Sequence, residues 1–153
     1  MSRVLIIGYG NTLRGDDGAG PRVAEMIAHR FPQVDSLALN ELQPELAEAV
    51  SSYDEVIFVD AHVLQKSLVV TEIRMDSGSR PADSFAHSPH SILSLSRDLY
   101  GHRPERALLI QIPAFNVGFS EGLSPQTERA VEQCTGLIEA LICTKGEATS
   151  KIM

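Results

Sequence analysis

Five side chains stand where they could do chemistry. Asp16 and Asp17 are adjacent within a run holding Gly8, Gly10, Gly15, Gly18 and Gly20, Asp60 ends an apolar stretch, and His87 and His90 bracket a Ser-Pro pair. Two carboxylates and an imidazole are the donor types that a divalent first-row metal accepts, and neutral histidine is a common ligand of that kind. Asp17 and Asp60 with either His87 or His90 therefore form a candidate metal set. Each residue alone has a plainer use. An acid at Asp16 or Asp17 could cap the following helix, and Asp60 could brace a loop by accepting backbone N–H bonds. Lone histidines are mostly surface or satisfied core residues, the class in which His62 and His102 belong. The glycine run also invites a dinucleotide-binding reading, which requires G-x-G-x-x-G after a strand. Here Leu13 stands at the third glycine position, and the paired aspartates would repel a pyrophosphate. No Gly-Lys-Ser/Thr follows to make a phosphate loop.

The elements that must position these groups are legible. Val4-Leu5-Ile6-Ile7 reads as a strand buried on both faces, ending in the glycine loop, with Pro21 suited to a first helical turn. Val23, Met26, Ile27 and Phe31 recur at helical spacing over 21–31, and Pro32 closes that helix. Val34 to Leu39 suggests a second strand, with Asn40 and Glu41 just past its end, and a short helix follows Pro44. Glu55 to Asp60 is a third strand carrying an acid at its tip, out of place if the strand serves packing alone. Residues 68–75 alternate as a half-exposed or edge strand, and Asp76 to Asp83 reads as a surface loop. Ser88-Pro89 opens a helix with Ile92, Leu95 and Leu99 on one face, stopping at Gly101. Ala107 to Ile112 is a last buried strand, 113–122 a loop, and Ser124-Pro125 opens a long helix with Val131, Cys134, Ile138 and Leu141 inward.

This alternation predicts an α/β fold: a single three-layer domain with a mostly parallel twisted sheet of about five strands and helices on both faces. The domain spans residues 1–145, and 146–153 read as a polar, frayed tail. In such sheets the functional crevice lies outside the carboxyl ends of the strands, where the glycine loop and Asp60 fall.

Composition narrows the partners. The 153 residues carry a formal charge of −7 and are 43% hydrophobic, which fits one globular domain and argues against nucleic acid or an anionic membrane surface as partner. Cys134 and Cys143 match neither a zinc pair nor a disulfide scaffold. No signal pattern and no membrane-length apolar run are present, so the expectation is a cytoplasmic protein, monomeric by default.

Several motifs together carry a family resemblance. Ile-Ile-Gly-Tyr-Gly-Asn-Thr-Leu-Arg-Gly-Asp-Asp-Gly-Ala-Gly-Pro at the start, Gln43-Pro44-Glu45-Leu46-Ala47, Val59-Asp60-Ala61 and Ile112-Pro113-Ala114-Phe115 resemble the endopeptidases that mature nickel-iron hydrogenase large subunits. The first motif and the Ile-Pro-Ala-Phe tetrad are most similar to the branch serving bidirectional, NAD-linked hydrogenases, and the likeness spans residues 3 to 142. The resemblance implies an aspartyl-type endopeptidase that cuts the C-terminal extension from a nickel-loaded large-subunit precursor. It implies nickel, supplied by that precursor, held by Asp17, Asp60 and either His87 or His90. The chain departs from the family at Asn40, where some members have an aspartate, leaving Glu41 or Asp16 to take acid/base duty; Asp16 is the candidate base. Glu41 and Glu45 are the candidate substrate contacts, Glu45 being equally suited to stabilising a helix dipole. No serine, cysteine or threonine has an obvious base beside it, so a covalent route is unsupported. A non-catalytic nickel chaperone, or a dinucleotide-binding protein, would be the alternatives.

Overall fold

The computed structural model describes residues 3–74 and 87–152, with side chains described as far as Cys143. The expected loop Asp76–Asp83 and the end of the expected strand at Met75 lie outside the described residues. Among the described residues five strands form one sheet: β1 (Val4–Tyr9), β2 (Asp35–Leu39), β3 (Glu55–His62), β4 (Val69–Glu72) and β5 (Arg106–Pro113), in the order β2-β1-β3-β5-β4. All neighbours pair parallel except β4, which runs antiparallel to β5 at the edge.

Among the described residues four α-helices cover the two faces: α1 (Ala19–Arg30), α2 (Leu46–Val50), α3 (Pro89–Tyr100) and α4 (Pro125–Ile152). Alternation along the strands divides the core accordingly. Ile6, Ile57, Val59, Leu108, Ile110 and Ile112 pack beneath Val23 and Ile27 of α1 and Val131, Cys134 and Ile138 of α4. Leu5, Ile7, Val56 and Phe58 pack on the other side against Val50 of α2 and Ile92 and Leu93 of α3. Each of these large side chains, fully buried, contributes about 1.5–3 kcal/mol. Helix α4 runs on to Ile152, through most of the 146–153 segment that the sequence reads as a tail.

Helix α3 begins as expected, with a reciprocal cap: Ser91 N donates to Ser88 Oγ at 3.1 Å and Ser88 N to Ser91 Oγ at 2.9 Å. Gly101 ends it in the left-handed conformation at φ 71°. Its inward face differs from expectation. Ser96 is buried and donates to the His102 carbonyl, so the buried set is Ile92, Leu93 and Ser96, while Leu99 is 65% exposed.

The strand-to-helix turn after β1 depends on a close approach. A Cβ on Gly8 would strike the Gly20 carbonyl oxygen, and one on Gly20 would strike the carbonyls of Val59 and Tyr9. Helix α1 therefore starts directly against β1 and β3.

Candidate active site

From β1 the chain crosses to β2 on one side, then returns through α2 to β3 on the other side of β1. The carboxyl ends of β1 and β3 are thus the topological switch point, where an open α/β sheet leaves a crevice. A cleft of ≈ 230 Å³ opens there, lined by Tyr9, Gly10, Asp17, Asn40, Glu41, Leu42, Asp60, Ala61 and His87. The loops after β1 and β2, the end of β3 and the segment before α3 all contribute to its wall.

Asp60 lies at the floor. Its Oδ2 accepts a hydrogen bond from Tyr9 Oη at 2.9 Å, whereas Oδ1 is buried and has no hydrogen-bond partner among the described residues. Burial pushes its carboxyl up from the ordinary 3.8 to about 6; the Tyr9 bond and His62 oppose that rise, and the charge of Asp17 adds to it. The same contact, with burial as the larger cause, drives the Tyr9 phenol strongly upward. Asp17 is half-buried and turns Oδ2 back to accept from Asn11 N at 2.7 Å, which holds the glycine loop over the cleft. Gly10 N donates to the Leu39 carbonyl at 3.0 Å, tying the ends of β1 and β2.

The histidine alternatives separate. His87 lines the cleft, with Nδ1 3.3 Å from Ser91 Oγ; His90 sits in the first turn of α3, outside the lining. Glu41 also lines the cleft and accepts from Gln43 Nε2 at 2.8 Å. Glu45, exposed just ahead of α2, is not part of the wall and makes no side-chain cap.

The expected metal set and the expected base differ in how the structure arranges them. The donors share a cleft, yet among the described residues no group of three or more His, Cys, Asp or Glu is placed to hold a metal ion by itself. One oxygen of Asp17 and one of Asp60 are already committed to Asn11 and Tyr9. Asp16 does not serve the cleft at all. It is fully buried and accepts four hydrogen bonds, from Phe115 N (2.8 Å), Asn116 N (2.9 Å), Ser124 N (2.7 Å) and Ser124 Oγ (2.8 Å). Burial acts to raise its pKa, but these donors outweigh it and leave the carboxyl below the ordinary range. A base needs an oxygen free toward substrate, and Asp16 instead stitches the glycine loop to the β5–α4 connection.

Tyr9 received no role from the sequence. The available signal was alternation, since Leu5, Ile7 and Tyr9 share one face of β1, as Val56, Phe58 and Asp60 share one face of β3. Using it requires knowing that β1 and β3 are neighbours.

No protein-family model and no curated protein matches the chain. Solved structures do. The chain is similar to hydrogenase maturating endopeptidase HybD from E. coli, at 22% identity over 94% of each chain with a TM-score of 0.66. It is similar to the NiFe hydrogenase maturation protease HycI from Thermococcus kodakarensis KOD1, at 24% identity over 90% of each chain and a TM-score of 0.68. An endopeptidase from Escherichia coli aligns at 23% identity over 94% of each chain with a TM-score of 0.71. At these identities the likeness establishes a shared fold along nearly the whole chain.

Proposed function

We propose that this protein is an endopeptidase that removes the C-terminal extension of the nickel-loaded large subunit of a nickel-iron hydrogenase. The observation that carries the reading is the buried Oδ1 of Asp60, unpartnered among the described residues, in a cleft shared with Asp17 and His87, on the fold of proteins described as hydrogenase maturation endopeptidases. An orphaned carboxylate oxygen is costly unless a cation or donor arrives to meet it. Asp17, Asp60 and His87 suit nickel by donor type, and nickel enters as part of the precursor. These three side chains would add to a coordination sphere that the precursor already supplies. A precursor without nickel forfeits those contacts and binds too weakly to be cut.

Among the described residues the cleft wall contains no serine, threonine or cysteine, and the reading is direct hydrolysis. Water oxygen adds to the scissile carbonyl carbon, its proton passes to a carboxylate, and that proton is returned to the departing amine nitrogen. Glu41 lines the cleft outside the metal set and is assigned that carboxylate.

A protein substrate also fits the rim. Leu13, Val63, Leu64, Phe115 and Phe119 are exposed, with Leu64 at 80% and Phe119 at 85%. Their three loops are joined at the carboxyl end of the sheet, Ser120 N donating to the Leu13 carbonyl at 3.1 Å and Ala114 N to the His62 carbonyl at 3.2 Å. Exposed apolar groups at the end of the sheet where the cleft opens suit a macromolecular partner better than a small molecule. Among the described residues no helix is long and apolar enough to cross a membrane. The reading places the protein in the cytoplasm as a monomer, in the branch serving NAD-linked hydrogenases.

The test is intact-mass spectrometry of purified precursor before and after incubation with the protein. Loss of a C-terminal peptide from the nickel-loaded form alone is the expected result. An unchanged precursor that is nonetheless bound would make the protein a nickel-dependent chaperone instead.

A further inference from the structure

Tyr9 ends β1 and Asp60 lies on β3, and the parallel register that sets Gly8 beside Val59 brings the two together at the carboxyl ends of adjoining strands. Alternation turns both side chains to the α2/α3 side of the sheet. The 2.9 Å bond from Tyr9 Oη then occupies Asp60 Oδ2 and leaves Oδ1 buried without a partner among the described residues. A carboxylate with two free oxygens can rotate or chelate. With one oxygen held from a strand, it has a single orientation and a single oxygen to give.

We propose that Tyr9 is a positioning residue whose hydroxyl fixes Asp60 so that the carboxylate presents Oδ1 alone to a metal ion carried by the substrate. The inference rests on the function proposed above and adds a specificity role for a residue outside the donor set. Tyr9 acts through Asp60, as an outer hydrogen-bond partner that orients a ligand, and losing such a partner costs about 10–100-fold in metal affinity. Phenylalanine at this position keeps the ring against the α2/α3-side core and removes only the hydroxyl.

The experiment compares wild type, Tyr9→Phe, Asp60→Asn and the double variant for equilibrium binding to nickel-loaded and nickel-free precursor by biolayer interferometry. Tyr9→Phe is expected to weaken binding of the loaded form about tenfold and to leave the nickel-free form unchanged. In the Asp60→Asn background the same change is expected to add nothing, because the two residues act as one unit. The nickel-free arm also reads folding, since a damaged protein loses both forms. Equal weakening of both forms, no weakening of either, or a further loss on top of Asp60→Asn would overturn the proposal. Failure of the proposed function reads differently, as wild type leaving the precursor uncut by mass. Wild type that cuts yet binds both forms alike overturns the positioning role and spares the protease.

Discussion

Replacing Asp60 by asparagine should make the free protein more stable while removing its function. Burial holds the carboxyl at about 6 against an ordinary 3.8, so the ionised group is disfavoured in the folded state. At about 1.4 kcal/mol per pH unit, that gap makes ionised Asp60 cost the fold about 3 kcal/mol. The sign follows from proton binding. Between pH 4 and pH 6 the native protein holds more protons at this position than the unfolded chain, so stability falls as pH rises through that window and then levels off. Asparagine has no such loss and still offers an oxygen to Tyr9 Oη. The variant's stability advantage should therefore be near zero at pH 4 and approach about 3 kcal/mol at pH 7.5, equivalent to a Tm rise of about 6–12 °C for a chain of this size. Urea unfolding followed by circular dichroism at several pH values measures it, with precursor cleavage assayed alongside. A stability difference that does not vary with pH, or a variant less stable than wild type at pH 7.5, would refute the reasoning.

Three further outcomes are expected. His87→Ala should abolish cleavage of nickel-loaded precursor while His90→Ala retains it, because only His87 lines the cleft; mass spectrometry of the product distinguishes them. Asp16→Asn should cost about 2–4 kcal/mol of stability by exchanging charge-assisted acceptors for an amide. Since the fold lowers the Asp16 pKa, the wild-type advantage should be present above the ordinary carboxylate value and vanish as pH falls through its folded value, as read by urea melts. Phe119→Ser should leave the melting temperature unchanged and raise KM for the precursor several-fold, since the ring is 85% exposed, with the Arg14 guanidinium over it at 4.9 Å from its centroid.

Period and punctuation made the fold readable. Four consecutive apolar residues before a glycine could only be a two-sided strand, and Ser88-Pro89 with Gly101 bounded α3 nearly to the residue. Apolar spacing alone puts Ile92, Leu95 and Leu99 on the inward face of α3, whereas Ser96 is buried there because its hydroxyl has a carbonyl to meet in the interior. At the site, residue type identified the acids without revealing their directions. Asp16 looked like a free base because its four donors come from residues 115–124, about a hundred positions away in the chain. Tyr9 was overlooked for the converse reason: its partner is 51 residues distant, and only the strand order makes them neighbours. Local sequence carries the elements, while the pairing of their ends sets each carboxylate's environment.

The adjacency of Asp16 and Asp17 follows from that division. Both lie in a single 3-10 turn, Gly15–Gly18, where successive side chains point about 120° apart. One acid therefore faces the β5–α4 connection and is consumed by four donors, and the next faces the cleft. A shift of register by one residue would exchange them, placing an unpaired carboxylate among backbone N–H groups on one side and a fully bonded one at the cleft on the other. The buried acid thus fixes the turn that aims its neighbour. Asp16 contributes to the proposed function through geometry, although it never meets the substrate.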